Sequence, residues 1–65
     1  MDQKSQAKVM DEGFMIIRCD DQPSIRIKYK GPGSHEWRTL SNHDTKAARE
    51  RERLRLTEDP MIIED

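Results

Sequence analysis

The stretch SIRIKYK, residues 24–30, alternates apolar and basic side chains along its length. Alternation with a period of two is typical of a β-strand that has one buried face and one solvated face. The pattern therefore predicts a strand whose apolar side chains enter the core and whose three cations form a row, about 7 Å apart, on the other face. The apolar set is Ile25, Ile27 and Tyr29, and the basic set is Arg26, Lys28 and Lys30.

Two further strands are predicted around this one. The segment FMIIRC, residues 14–19, is apolar and β-branched and is followed by the turn-forming DDQP of residues 20–23. After the turn signal GPGS, residues 31–34, a third strand is predicted over residues 35–40. Three consecutive strands joined by short turns predict an antiparallel sheet.

A helix is predicted after the third strand. Ser41 and Asp44 have the spacing of a capping box, and residues 45–56 consist mainly of strong helix formers. The apolar stripe of this helix is weak, because Leu56 falls nearly opposite Ala47. We therefore expect the helix to bury little.

The two ends of the chain complete the predicted layout. Residues 1–11 are polar and aperiodic and predict a flexible tail, which leaves residues 12–65 as one small domain. The apolar triplet MII at 61–63 fits either a short fourth strand at a sheet edge or a clip folded onto the helix. The predicted fold class is α+β: a small three-stranded antiparallel sheet packed on one helix (β-β-β-α). The sequence does not decide whether a short C-terminal fourth strand is added to this sheet.

Length and composition exclude several classes of protein. A chain of 65 residues with one cysteine is too short for a two-domain enzyme and cannot form an internal disulfide, which points to a reducing compartment. The longest apolar run is residues 14–17, far short of the roughly 20 residues that span a bilayer. The first residues contain no apolar stretch of the kind a secretion signal requires. We expect a cytoplasmic protein.

No constellation of residues predicts catalysis or a cofactor. Cys19, His35 and His43 lie in separate predicted elements, and nothing in their spacing selects a nucleophile with its base or a zinc site. The turn at residues 31–33 lacks the Gly-Lys-Ser/Thr ending of a phosphate-binding loop. The sequence therefore predicts a non-enzyme without a cofactor.

Charge is unevenly distributed along the chain. Residues 22–55 carry nine Lys or Arg against four Asp or Glu, whereas the segments on both sides are net acidic. The basic row of residues 24–30, extended by Arg18 and Arg38, predicts a sheet face that can pair with nucleic-acid phosphates. The alternative is an ordinary solvated face whose long side chains prevent aggregation.

The basic hairpin, the segment Trp37-Arg38-Thr39-Leu40 and the helix entry Asp44-Thr45-Lys46-Ala47-Ala48 resemble the arm-type (AP2-like) DNA-binding domain of phage integrases over residues 24–56. The resemblance implies a three-stranded sheet that packs on one helix and enters the DNA major groove. It also implies that Trp37, Ala47 and Ala48 are packing residues. The residues that it would direct at DNA are Arg26, Lys28, Lys30 and Arg38.

Two functions follow as hypotheses. The first is a small nucleic-acid-binding accessory module, for example of a mobile element. The second is a protein-binding adaptor or inhibitor that pairs through a sheet edge or a homodimer surface.

The predicted core is thin: Phe14, Ile16, Ile25, Ile27, Tyr29, Trp37, Leu40, Ala47, Leu54 and Ile62. A thin core favours self-association, and the predicted dimer surface is Met15, Ile17, Cys19, Met61 and Ile63.

Overall fold

A four-stranded mixed sheet and two helices form the protein in this computed structural model, which describes residues 1–33 and 36–65. The predicted turn residue Ser34 and the predicted strand residue His35 lie outside the described residues. The elements in chain order are α1 (Gln3–Asp11), β1 (Met15–Asp20), β2 (Arg26–Lys30), β3 (Arg38–Asn42), α2 (Lys46–Thr57) and β4 (Ile62–Glu64).

The sheet has the strand order β3-β2-β1-β4. β2 pairs antiparallel with both β1 and β3, so the predicted three-stranded antiparallel arrangement is present. β4 adds to the free edge of β1 in the parallel direction, with Met15 opposite Ile62. Of the two alternatives for residues 61–63, the structure has the fourth strand.

Helix α1 occupies most of the segment for which the sequence predicts a tail. The Asp2 carboxylate caps its start by accepting from the Ser5 backbone N–H at 2.7 Å. At its end, the N–H groups of Gly13 and Phe14 donate to the carbonyls of Met10 and Val9, which is a Schellman motif. Gly13 has a φ of +99°, a conformation that glycine adopts without steric penalty. The helix is held because one side of it is buried against the sheet.

Helix α2 has nearly the predicted bounds, residues 46–57 against 45–56, but its N-cap lies four residues later than the capping box predicts. Thr45 is the N-cap and accepts from the Ala48 N–H at 3.1 Å. Ser41 lies in β3 instead, where its hydroxyl is 2.8 Å from Nε2 of His43. No residue of α2 is buried, so the expectation that this helix buries little is met and its predicted packing as the main cover of the sheet is not confirmed.

Strand β3 also lies later in the chain than predicted and contains a bulge. Its pairing with β2 shifts between Ser41, which is opposite Ile27, and Thr39, which is opposite Lys28. Leu40 is therefore the extra residue and has no partner on β2. Its exposed fraction is 36%, so its predicted place in the core was wrong.

The core is centred on β1 and β2. Ile16 and Ile27 are fully buried, as predicted, together with Ile17 and Met10. Ile17 is buried because both faces of β1 are covered within one chain, which also explains the continuous apolar run of this strand. Leu54 was predicted in the core but is 54% exposed.

None of the helices in the described residues is long and apolar enough to cross a membrane.

Replacement of Ile27 by Asp should abolish cooperative folding. Ile27 is 0% exposed, and an unpaired buried carboxylate costs several kcal/mol against a total stability of about 5 kcal/mol. Circular dichroism during a thermal melt measures the effect. The matched control is Leu54→Asp, which should melt nearly as wild type because Leu54 is exposed; equal losses in both variants would contradict the assigned burial.

Candidate nucleic-acid interface

The strand register gathers four cations on one face of the sheet. Arg18 of β1 is opposite Lys28 of β2. Arg26 and Lys30 are each two residues from Lys28 along β2 and therefore lie on the same face. We call these four side chains, together with the indole of Trp37 that lies among them, the basic cluster. Both the row of β2 and its extension by β1 are thus present as predicted.

Arg38, the fifth predicted contact, lies elsewhere. Its partner in the register is Tyr29, whose neighbours along β2 belong to the basic cluster. Since alternate residues of a strand point to opposite faces, Arg38 is on the face opposite the cluster. Its position on the sheet edge leaves it exposed.

One carboxylate, that of Asp20, pairs with two cations of the basic cluster. Asp20 accepts from Arg26 Nη2 at 2.9 Å and from Arg26 Nε at 3.2 Å, and Lys28 Nζ lies 3.4 Å away. The hydrogen bonds from Arg26, followed by one from the Gln22 N–H, lower the pKa of Asp20 to about 2. Two of the four cations are therefore paired within the protein.

The last described residue provides the second carboxylate. Asp65 accepts from Arg18 Nε at 2.8 Å and from Gln6 Nε2 at 3.2 Å, and its side chain is only 6% exposed. Burial alone would raise the pKa of Asp65, but the hydrogen bonds from Arg18 and Gln6 outweigh it and lower the pKa. The end of β4 is thereby tied to β1 and to α1.

Lys30 departs most from the sequence prediction. Its exposed fraction is 6%, and its ammonium donates to Oε1 of Gln6 at 3.0 Å. The predicted solvated face is wrong at this position because α1 lies over this end of the sheet. Helix α1 thus turns part of a surface row of cations into a buried polar network.

Trp37 stands at the centre of the basic cluster. The Arg18 guanidinium carbon is 4.5 Å from the centroid of the indole ring, Lys30 Nζ is 4.9 Å away and Lys28 Nζ is 5.9 Å away. Cation–π attraction at such distances is worth about 0.5–2 kcal/mol for each contact. Sequence reasoning assigned Trp37 to packing alone. The signal for a further role was its position opposite a basic strand.

The opposite face of the sheet is covered by α2 through ion pairs. Arg49 Nη1 donates to the backbone oxygen of Asp20 at 2.8 Å and pairs with the Asp21 carboxylate, which Lys46 also approaches at 3.4 Å. Arg53 Nη1 lies 2.5 Å from Glu64 of β4. These contacts position a helix that has no buried apolar side chain of its own.

The predicted dimer surface is largely occupied within one chain. Ile17 is 1% exposed, and Met15, Cys19 and Ile63 are half-buried, whereas Met61 is 43% exposed. Burial also raises the pKa of the Cys19 thiol, which disfavours the reactive thiolate. Self-association through these five residues stays a prediction, with Met61 as its accessible member.

No group of three or more His, Cys, Asp or Glu side chains among residues 1–33 and 36–65 is placed to hold a metal ion. Comparisons of the chain with protein-family models, with curated proteins and with solved structures found no match.

Stability should fall in acid, with Asp20 as one of the groups responsible. The pKa of Asp20 is about 2 when folded and near its ordinary value of 3.8 when unfolded, so the unfolded chain binds the proton more tightly. The resulting stabilisation is complete above the unfolded pKa and is lost as the pH falls through about 2. Denaturant midpoints between pH 6 and pH 2 measure this.

The Asp20→Asn variant should be less stable than wild type at pH 6, and the two should converge towards pH 2. Asp11→Asn is the control, because Asp11 is exposed at the end of α1, and it should follow the wild-type curve. Parallel curves for wild type and Asp20→Asn would refute the pairing of Asp20 with the cluster.

Proposed function

We propose that the protein is a small, non-enzymatic nucleic-acid-binding module whose contact surface is the basic cluster. The observation that supports this most is the half-buried indole of Trp37 with three cations within 6 Å of its ring centre. Aromatic rings interleaved with Lys and Arg are the usual means of binding single-stranded nucleic acid. Bases stack on the ring while the cations attract the phosphates.

Accessibility assigns different tasks to the four cations. The Arg18 side chain is 42% exposed, which makes it the first partner for a phosphate, and Lys28 is next to it across the strands. Lys30 is too deeply buried to reach a strand passing over the sheet. The expected contact therefore covers few nucleotides: Arg18 and Lys28 contact the phosphate backbone of the nucleic acid, and Trp37 stacks on one base.

The internal carboxylates limit the expected affinity. Asp20 and Asp65 already pair with cations of the basic cluster, so a phosphate must compete with them. The cluster still has four cations against two carboxylates and keeps a positive excess. We expect modest affinity that weakens steeply with salt through counterion release.

Trp37 permits a direct binding measurement because it is the single tryptophan of the chain. Titration with single-stranded oligonucleotides at about 50 mM salt should quench its fluorescence saturably. Lys28→Ser should reduce the slope of log affinity against log salt by about 0.7. This variant keeps Asp20 paired through Arg26, so folding should survive.

The matched control for Lys28→Ser is Lys8→Ser, since Lys8 is an exposed lysine of α1 outside the basic cluster. Its affinity and salt slope should equal those of wild type. Absence of saturable quenching with both single-stranded and duplex oligonucleotides would contradict the proposal. If Lys28→Ser and Lys8→Ser change the salt slope equally, the basic cluster is not the binding surface.

A second candidate function, protein binding through a sheet edge, is favoured by β3. This strand lies at the edge of the sheet, with four of its five residues exposed. Its outward backbone groups can pair with a strand of a partner or of a second copy. Leu40 adds an exposed apolar side chain at the centre of this edge.

Sedimentation of Leu40→Lys tests the edge. A lysine at the middle of an edge strand disfavours pairing with another strand, so any dimer that uses β3 should dissociate. Leu54→Lys is the control, since Leu54 is an exposed leucine on α2 and its replacement should leave the oligomeric state unchanged. A monomeric wild type at tens of micromolar would exclude self-pairing through β3.

A further inference from the structure

A cleft of about 240 Å³ lies between α1 and the end of β2. One water occupies about 30 Å³ in the liquid, so this volume admits an ion of the size of phosphate together with its solvent. Four lining residues come from one face of α1, and the fifth comes from the sheet. They are Gln3, Gln6, Ala7, Met10 and Lys30.

Lys30 brings a buried positive charge to this cleft. Its exposed fraction is 6%, and its ammonium donates to the neutral amide oxygen of Gln6. No carboxylate among residues 1–33 and 36–65 forms an ion pair with it, in contrast to Arg18, Arg26 and Lys28 of the same face. A buried cation without a counter-charge is unfavourable, and an ammonium has three donors to satisfy.

The carboxylate that shares Gln6 with Lys30 has other partners. Asp65 accepts from Gln6 Nε2 and from Arg18, which leaves the Gln6 amide oxygen directed at Lys30. The cation–π contact with Trp37 compensates the charge of Lys30 only in part. The cleft is thus preorganised around a cation and lacks one negative charge.

We propose that this cleft binds a small oxoanion, a phosphate or carboxylate group, through Lys30 Nζ. Gln3 is exposed beside the cleft and offers an amide donor to the same ligand. The ligand is either a free anion or the terminal group of a nucleotide. The proposal does not depend on nucleic-acid binding, because Arg18 and Lys28, the expected phosphate contacts of the basic cluster, do not line this cleft.

The test is a titration followed by ¹H–¹⁵N correlation spectra. Sodium phosphate and sodium acetate are each compared with sodium chloride at matched ionic strength, and a nucleoside monophosphate is compared with its nucleoside. One oxoanion at least should produce saturable shifts centred on residues 3–10 and Lys30. Binding of the monophosphate without binding of inorganic phosphate would identify a nucleotide as the source.

Two variants and a control make the result specific. Lys30→Met should weaken binding about tenfold or more, as expected for the loss of a charge-assisted hydrogen bond. Gln3→Glu, at an exposed position that should not affect folding, should weaken binding through repulsion. Lys8→Met changes an exposed lysine of the same helix and should leave binding unchanged.

Shifts that do not saturate, or that persist equally in Lys30→Met and Gln3→Glu, would overturn the proposal. If Lys30→Met fails to fold, Gln3→Glu alone decides the matter: unchanged anion affinity in that variant would contradict the assigned cleft. Failure of this test leaves the fluorescence titration of oligonucleotides unaffected, so the two proposals fail separately.

Discussion

Four cations on one sheet face need counter-charges, and that need organises much of this small protein. Arg18, Arg26 and Lys28 find theirs in Asp20 and Asp65, whereas Lys30 is held by the Gln6 amide. These partners lie at the end of β1, directly after β4 and in α1. One electrostatic requirement therefore connects segments that are far apart in the chain, and Trp37 is placed in their midst.

The apolar core alone gives little support to this arrangement. Only Met10, Ile16, Ile17 and Ile27 are buried hydrophobic residues in the described part of the chain. Helix α2 adds none, and it is attached by Arg49 and Arg53 through ion pairs. Exposed ion pairs contribute little individually and are screened by salt, so a network of them suits a domain of modest stability. It also leaves cations that a polyanion can reach.

The strand pattern was predictable from sequence because alternation depends on which face each residue takes. SIRIKYK predicted β2, its buried Ile27 and the row of cations, and the structure has all three. Helix α1 was missed because its buried side includes the polar Gln6, and its apolar residues Ala7, Val9 and Met10 form only a short stripe. Asp2 as an N-cap and Gly13 as the residue after the C-cap were the local signals for it.

Other features of the site depended on tertiary contacts that no local pattern reveals. The burial of Lys30 follows from the position of α1, and the pairing of Arg18 follows from Asp65, which lies 47 residues away in the chain. The pairing of Arg38 with Tyr29 puts Arg38 on the face opposite the basic cluster, and the bulge leaves Leu40 without a partner on β2. Periodicity identifies faces, but it does not identify which segment covers them.

Specific acidic partners integrate Arg18, Arg26 and Lys28 of the basic cluster into the fold. A double-mutant cycle with Arg18→Met and Asp65→Asn, read as the free energy of unfolding in denaturant, tests it most directly. Because Arg18 is partly exposed, the expected coupling is about 1 kcal/mol, with the double variant less destabilised than the sum of the single variants. Additive effects, with a coupling of zero within error, would contradict the claim.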